Sequence, residues 1–162
     1  MCSGIPFPQV GVFSFGCLIV DTLTDEASGK TEVVEAWSAV DVGRAINPSS
    51  VEGQIVGGFV QGMGFALTEE MVWDGPKLAN PTLLDYKVPT TLDTPYNIHS
   101  IIVEAAEPDG PFGAKGAGEI GLVPVPAAIA NAIADAIGGH VHSLPMKPEK
   151  VLNKMLEIED AT

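Results

Sequence analysis

The sequence predicts an α+β fold, a twisted mixed sheet packed by a long glycine-rich helix and an alanine-rich helix, and three observations carry that expectation. Two runs rich in β-branched and aromatic residues, Val10 to Thr24 and Thr31 to Val42, flank the polar turn Asp25-Glu26-Ala27-Ser28-Gly29-Lys30, as in a hairpin. Two segments, Val51 to Met71 and Pro126 to Ile137, have helical character. A third β run, Ile98 to Ala105, lies between those helices and completes the sheet.

Taken in order, the hairpin turn is longer than the tight two-residue kind, so it does not fix the strand register by itself. The second strand ends at Asp41-Val42-Gly43-Arg44-Ala45-Ile46-Asn47-Pro48, where Asn47-Pro48 starts a turn. Ser49 or Ser50 is then expected to cap the next helix, with Glu52 and Gln54 helping to satisfy its free backbone donors. Along that helix Val51, Ile55, Phe59, Met63 and Ala66 recur near helical spacing, with Gly53, Gly57, Gly58, Gly62 and Gly64 among them. Each glycine costs an exposed helix roughly 1 kcal/mol relative to alanine, so close packing against backbone or a large flat ligand must recover the loss. Gln54, placed near the helix's positive end, can offer donors and an acceptor to a polar heterocycle or phosphate, or it can serve as a capping or solvated residue. Glu69 and Glu70, at the far end, are expected to face water.

From Val72 to His99 the prolines Pro76, Pro81, Pro89 and Pro95 argue for an extended segment wrapping the surface or a partner chain. After the Ile98 strand the chain reaches Gly113-Ala114-Lys115-Gly116-Ala117-Gly118-Glu119-Ile120-Gly121, where four glycines surround one carboxylate. Bare backbone allows another molecule to come close, so this loop either presents Glu119 or is a flexible turn with a solvated acid. Pro126 opens the alanine-rich helix and Gly138-Gly139 closes it. His140 and His142 read as ordinary strand residues, since no third metal ligand stands near, and a short amphipathic helix runs from Glu149 to about Ile158.

The 162 residues, 46% of them hydrophobic, amount to one domain with a buried core. A formal net charge of -13, from 21 acidic against 8 basic residues, disfavours nucleic acid and anionic membrane as partners, and neither is expected. Cys2 and Cys17 are too few for a disulfide framework, an iron–sulfur cluster or a zinc knuckle, which fits a cytoplasmic protein. The apolar run Val10 to Val20 falls short of the roughly 20 residues of a membrane span, and Met1-Cys2-Ser3-Gly4 lacks a positive secretory start.

Four blocks in order resemble one family: Asp41 to Pro48, Gly53-Gln54 through Gly64, Asp85-Tyr86-Lys87-Val88-Pro89, and Gly113 through Glu119. Together they resemble the C-terminal part of the molybdopterin-binding (molybdenum) subunit of the xanthine dehydrogenase and aldehyde oxidase family of molybdenum hydroxylases. The resemblance covers nearly the whole chain from about Val10 onward.

That resemblance implies a molybdenum-dependent oxidoreductase that hydroxylates an N-heterocycle, of purine or pyridine carboxylate type, or an aldehyde, with oxygen drawn from water. Glu119 matches the family's general base. Gln54, Gly116, Ala117 and Gly118 match positions beside a molybdopterin, in bacteria often the cytosine dinucleotide form, whose dithiolene sulfurs rather than protein side chains hold the molybdenum. Iron–sulfur clusters of the 2Fe-2S type and FAD are expected on partner chains, with cytoplasmic location and a hetero-oligomeric enzyme. A whole subunit of that family is several times longer. Residues 1–162 are therefore expected to form a single domain, a split subunit or fragment that is completed by a larger molybdenum-subunit partner. The alternative is a non-catalytic interaction domain that docks on such a subunit, its glycine loop serving only as a turn.

Overall fold

The structure is a computed structural model that describes residues 11–161. Strand β1 (Gly16–Thr24) and strand β2 (Thr31–Asp41) form the expected antiparallel hairpin. Its turn is closed by Asp25 N–H to Lys30 O and Gly29 N–H to Asp25 O, with Gly29 at φ +72°. A side chain there would strike the backbone of Pro148 and Leu152, so glycine lets the turn seat against the last helix. The strand expected from Val10 is extended only from Gly16 among the described residues, and Val10 itself lies outside them. The register shifts between Asp21 and Thr22, an irregularity that turn length could not specify.

Helix α1 (Pro48–Leu67) follows. Asn47, not Ser49 or Ser50, is its cap: the Asn47 side chain accepts the Ser50 N–H at 3.2 Å, and Pro48 supplies the pre-set φ of a first helical residue. Glu52 and Gln54 take no part in that cap. With the start at Pro48, Gln54 falls in the second turn, beyond the strongest part of the helix's positive end. The helix stops at Leu67 rather than Met71, where Thr68 and Glu69 N–H both turn back to Gly64 O.

The segment 72–96 is largely irregular, with a small ribbon of β3 (Trp73–Asp74) and β4 (Lys77–Leu78). Glu69 and Glu70 do not simply face water, because both fasten this part of the molecule. Tyr86 Oη donates to Glu69 at 2.6 Å, and Lys147 Nζ pairs with Glu70 at 2.5 Å. Strand β5 (Asn97–Val103) then runs parallel to β2, giving a mixed sheet in the order β1-β2-β5. Helices α2 (Val125–Ile137) and α3 (Pro148–Asp160) complete the fold, α2 ending at Gly138 in the left-handed conformation as glycine permits. His140 and His142 lie in irregular chain after α2 rather than in a strand, their rings 6.1 Å apart.

Helices α1 and α2 pack on each other and on one face of the sheet. The main core joins Val33 and Ala36 of β2, Phe59, Met63 and Ala66 of α1, Val125, Ile129 and Ile133 of α2, Met146, and Val151 of α3. A second cluster, Val40, Val42, Val51 and Ile55, sits where β2 ends and α1 begins, with Ala117 and Ile120 packed on it. Among the described residues no helix is long and apolar enough to cross a membrane.

Candidate functional site

The glycine loop is drawn to the second cluster by close backbone contact. A Cβ on Gly58 would sit 3.1 Å from Leu122 N, and one on Gly121 would sit 3.2 Å from Ile55 Cα. The loop after Glu119 therefore lies directly on α1, and glycine on both sides is what permits the approach. Gly62 performs the same service one turn on, where an added Cβ would fall 2.5 Å from Val125 Cβ. Glycines 53 and 57 are different, since an added Cβ would meet nothing within 4 Å.

At its base the loop is tied to the end of β2. Lys115 N–H donates to Val42 O, Arg44 N–H donates to Gly113 O, and Ser14 Oγ donates to Gly116 O. Gly43, at φ +61°, takes a conformation few other residues would accept, and a side chain there would strike Gly113 O and the Lys115 stem. Asp41 and Lys115 meet beneath this junction at 2.6 Å, both almost wholly buried. Asp41 also accepts the N–H groups of Gly43 at 2.9 Å and Ala105 at 3.3 Å. The Lys115 ammonium, more than these amide bonds, holds the Asp41 carboxyl below its ordinary range.

Between the loop and the start of α1 lies a shallow cleft of about 280 Å³. Its walls include Gln54 from α1, Ala117 and Gly118 from the loop, and Arg44 and Lys115. Residues more than 60 positions apart are thus brought to one place, Gln54 facing the same space as Ala117 and Gly118. Gly116 and Gly118 expose open backbone, with nothing within 4 Å of an added Cβ. Glu119 follows Gly118 in the chain but, like Gly116, is not among the residues that line the cleft; its side chain is exposed, and its backbone oxygen accepts the Leu122 N–H that turns the chain toward α2.

The sequence reading did not single out Arg44, the only arginine in the chain, as a site residue, nor the Asp41 to Lys115 pairing. A lone cation in the Asp41 to Pro48 block of an acidic chain was the available signal for Arg44. Nothing in periodicity pairs positions 41 and 115. Among the described residues, no three His, Cys, Asp or Glu side chains gather as metal ligands. The chemistry available at the cleft is that of an amide, a guanidinium and bare peptide groups, with the exposed Glu119 carboxylate one residue beyond its lining.

Known proteins resemble this chain over most of its length. Residues 4–95 match the molybdopterin cofactor-binding domain. The xanthine dehydrogenase molybdenum-binding subunit of Escherichia coli O157:H7 is 41% identical over 140 residues, covering 85% of this chain and 18% of that subunit. The 6-hydroxypseudooxynicotine dehydrogenase complex subunit gamma of Paenarthrobacter nicotinovorans is 39% identical over 147 residues, covering 88% of this chain and 18% of that protein. The solved aldehyde oxidoreductase from Desulfovibrio gigas superposes with a TM-score of 0.81 at 36% identity, covering 88% of this chain and 15% of that one. The chain thus spans less than a fifth of these relatives' length, and by sequence and fold together it belongs to the molybdopterin cofactor-binding family that includes the xanthine dehydrogenase and aldehyde oxidoreductase molybdenum-binding subunits.

Proposed function

We propose that this chain forms one wall of a molybdenum hydroxylase active site, in which Glu119 is the general base for water-derived hydroxylation of an N-heterocycle, of purine or pyridine carboxylate type, or of an aldehyde. The supporting observation is the cleft that sets Gln54 opposite Ala117 and Gly118, with Glu119 next along the loop. The residues fit a molybdopterin: peptide backbone at Gly116 and Gly118 is bare, as close approach by a broad group requires. Arg44 and the Gln54 amide offer donors suited to its phosphate and heterocycle. When bound, that group would supply the redox centre for two-electron oxidation of the substrate, its metal held by the pterin's dithiolene and not by this chain.

The remaining steps belong to the chain's own residues. Gln54 orients the bound group through its amide, and Gly116, Ala117 and Gly118 hold it by their peptide edges. The Glu119 carboxylate takes up a proton as the water-derived oxygen is committed to the substrate. That role requires the carboxylate to come within about 3 Å of the oxygen it deprotonates. Names among the relatives, xanthine dehydrogenase and nicotine 6-hydroxylase on one side and aldehyde oxidoreductase on the other, support both substrate classes.

Enzyme action in this reading needs the rest of a molybdenum-binding subunit, in the same chain or another, with 2Fe-2S and FAD carriers on partner chains and a cytoplasmic setting. Surface chemistry supports it, since Leu83, Leu84, Leu92 and Tyr96 are more than three-quarters exposed, a burden an isolated domain rarely carries. The solvent exposure of Glu119 favours a second reading, a docking domain without catalytic duty. Glu119→Gln in the molybdenum-loaded enzyme containing this chain separates the two. Turnover is expected to fall at least about a hundredfold with molybdenum content unchanged; near-normal turnover retires the catalytic reading.

A further inference from the structure

We propose that Asp41 and Lys115 are a positioning pair for Glu119: Asp41 anchors the base of the loop and neutralises the one ammonium group that the loop carries. The inference rests on the reading of Glu119 as base. Lys115 stands four residues before Glu119, and its Nζ lies 2.6 Å from Asp41 Oδ2 with both side chains over nine-tenths buried. A charge-assisted bond in so dry a setting is short and stiff.

The rest of the Asp41 carboxylate is equally committed. Its second oxygen accepts from Gly43 at the end of β2 and from Ala105 just past β5, so one side chain joins both strand ends to the loop. A buried ion pair contributes little net stability over an apolar substitute, and its best attested use is to fix one arrangement among several. A loop with four glycines around its acid has many arrangements to choose from. The pair removes that freedom at the base while Gly116 to Gly118 stay bare above it.

Lys115 is also the cation nearest Glu119 along the chain. Around the loop stand Arg44 on the cleft, Glu104, which accepts the Ala45 N–H, and Glu107 and Asp109 in the preceding turn. Against that background Lys115 counts as neutral only while Asp41 is ionised beside it. Unmasked, the ammonium would favour the charged form of a neighbouring carboxylate, and an unmasked Asp41 would disfavour it.

Two single variants of the molybdenum-loaded enzyme and their combination test this. Asp41→Asn keeps an oxygen for the Gly43 and Ala105 N–H groups, and Lys115→Met keeps the stem. The acid limb of kcat/KM is expected to move to lower pH in Asp41→Asn and to higher pH in Lys115→Met, by about half a unit or more each, and to return in the double variant. Hydrogen exchange at the Lys115 N–H, which bonds Val42 O, should quicken about tenfold or more in either single variant. A purely structural pair would lower stability without displacing the limbs in opposite directions. Limbs that stay put in whichever single variant folds, or that move the same way in both, overturn the proposal. Should Glu119→Gln retain turnover, the base reading has failed instead, and unchanged exchange at Lys115 would then overturn the anchoring role as well.

Discussion

The two ends of the molecule are held together by different physics. Around Phe59, large apolar side chains from α1, α2 and α3 interlock with Val33 and Ala36 of the sheet. At the cleft end the apolar cluster has only Val40, Val42, Val51 and Ile55 at its centre, and the structure there leans on a buried ion pair and on peptide groups brought close by glycine. The first arrangement is held by side-chain packing, and Val33, Met63 and Met146 of that core also line a cavity of about 270 Å³. The second leaves open space beside Gly116 and Gly118, where an added side chain would meet nothing within 4 Å.

The sharpest way to break this contrast is at Phe59, which is wholly buried. Phe59→Ala is expected to lower unfolding free energy by about 3 to 5 kcal/mol, through lost transfer energy and the cavity left behind. Urea denaturation measures it, and a loss under about 1 kcal/mol would mean the Phe59 cluster is not the main support. Next in size is Gly62→Ala. The new methyl would stand 2.5 Å from Val125 Cβ, so α1 and α2 must separate, with an expected loss of about 1 to 3 kcal/mol. An unchanged midpoint would show that the two helices adjust freely.

Both positions bear on how much of the fold was legible. The hairpin, the three helices and the β5 strand could be read because their signals are local: runs of β-branched residues, apolar residues at helical spacing from Val51, Pro126 at a helix start, Gly138 at a helix end. Gln54, Gly116, Ala117, Gly118 and Glu119 were named from motif resemblance; the structure brings Gln54, Ala117 and Gly118 to one cleft, and leaves Gly116 and Glu119 outside its lining. What escaped was non-local. Glu69 and Glu70 gave no sign that Tyr86 and Lys147 would bind them, 17 and 77 residues away. Asp41 and Lys115 are 74 residues apart, and their pairing depends on β2 and the loop meeting through Gly43. Assigning the cap to Ser49 or Ser50 failed because Asn47 was credited only with the turn; its side chain does both jobs.

Acid sharpens the comparison further. Asp41 and Glu70 are each held below the ordinary carboxylate range, first by hydrogen bonds from Lys115 and Lys147 respectively. A depressed folded-state value means the stabilisation is complete above the unfolded value, about 4, and fades as pH drops through the folded one. Asp41 is 8% exposed and Glu70 36%, so water screens Glu70 far more and the loss should fall on the cleft end. Below about pH 4, hydrogen exchange at the Lys115 N–H should quicken before that at the Met146 N–H, which bonds Ala66 O beside the main core. Simultaneous quickening would argue that the two ends open as one. Tyr86 works in the opposite sense: the Glu69 hydrogen bond raises its value, so its contribution holds below about pH 10 and is lost as pH climbs through the raised value.

The smallest expected effect is the most telling about purpose. Gly57 lies in α1 five residues before Gly62, yet an added methyl there meets open space. Helix propensity alone then predicts that Gly57→Ala stabilises the chain by up to about 1 kcal/mol, with a higher denaturation midpoint and an unchanged slope. A lower midpoint would mean that Gly57 is packed after all and that α1 has no bare side. If the gain appears, the glycine has been kept at a stability cost, and folding of this chain does not explain it. A residue retained in that way points outward, to whatever rests on α1 in the enzyme proposed above. Molybdenum retention in the Gly57→Ala enzyme then separates the candidates: a reduced content places the cofactor against that turn of the helix, and a full content leaves the surface to protein.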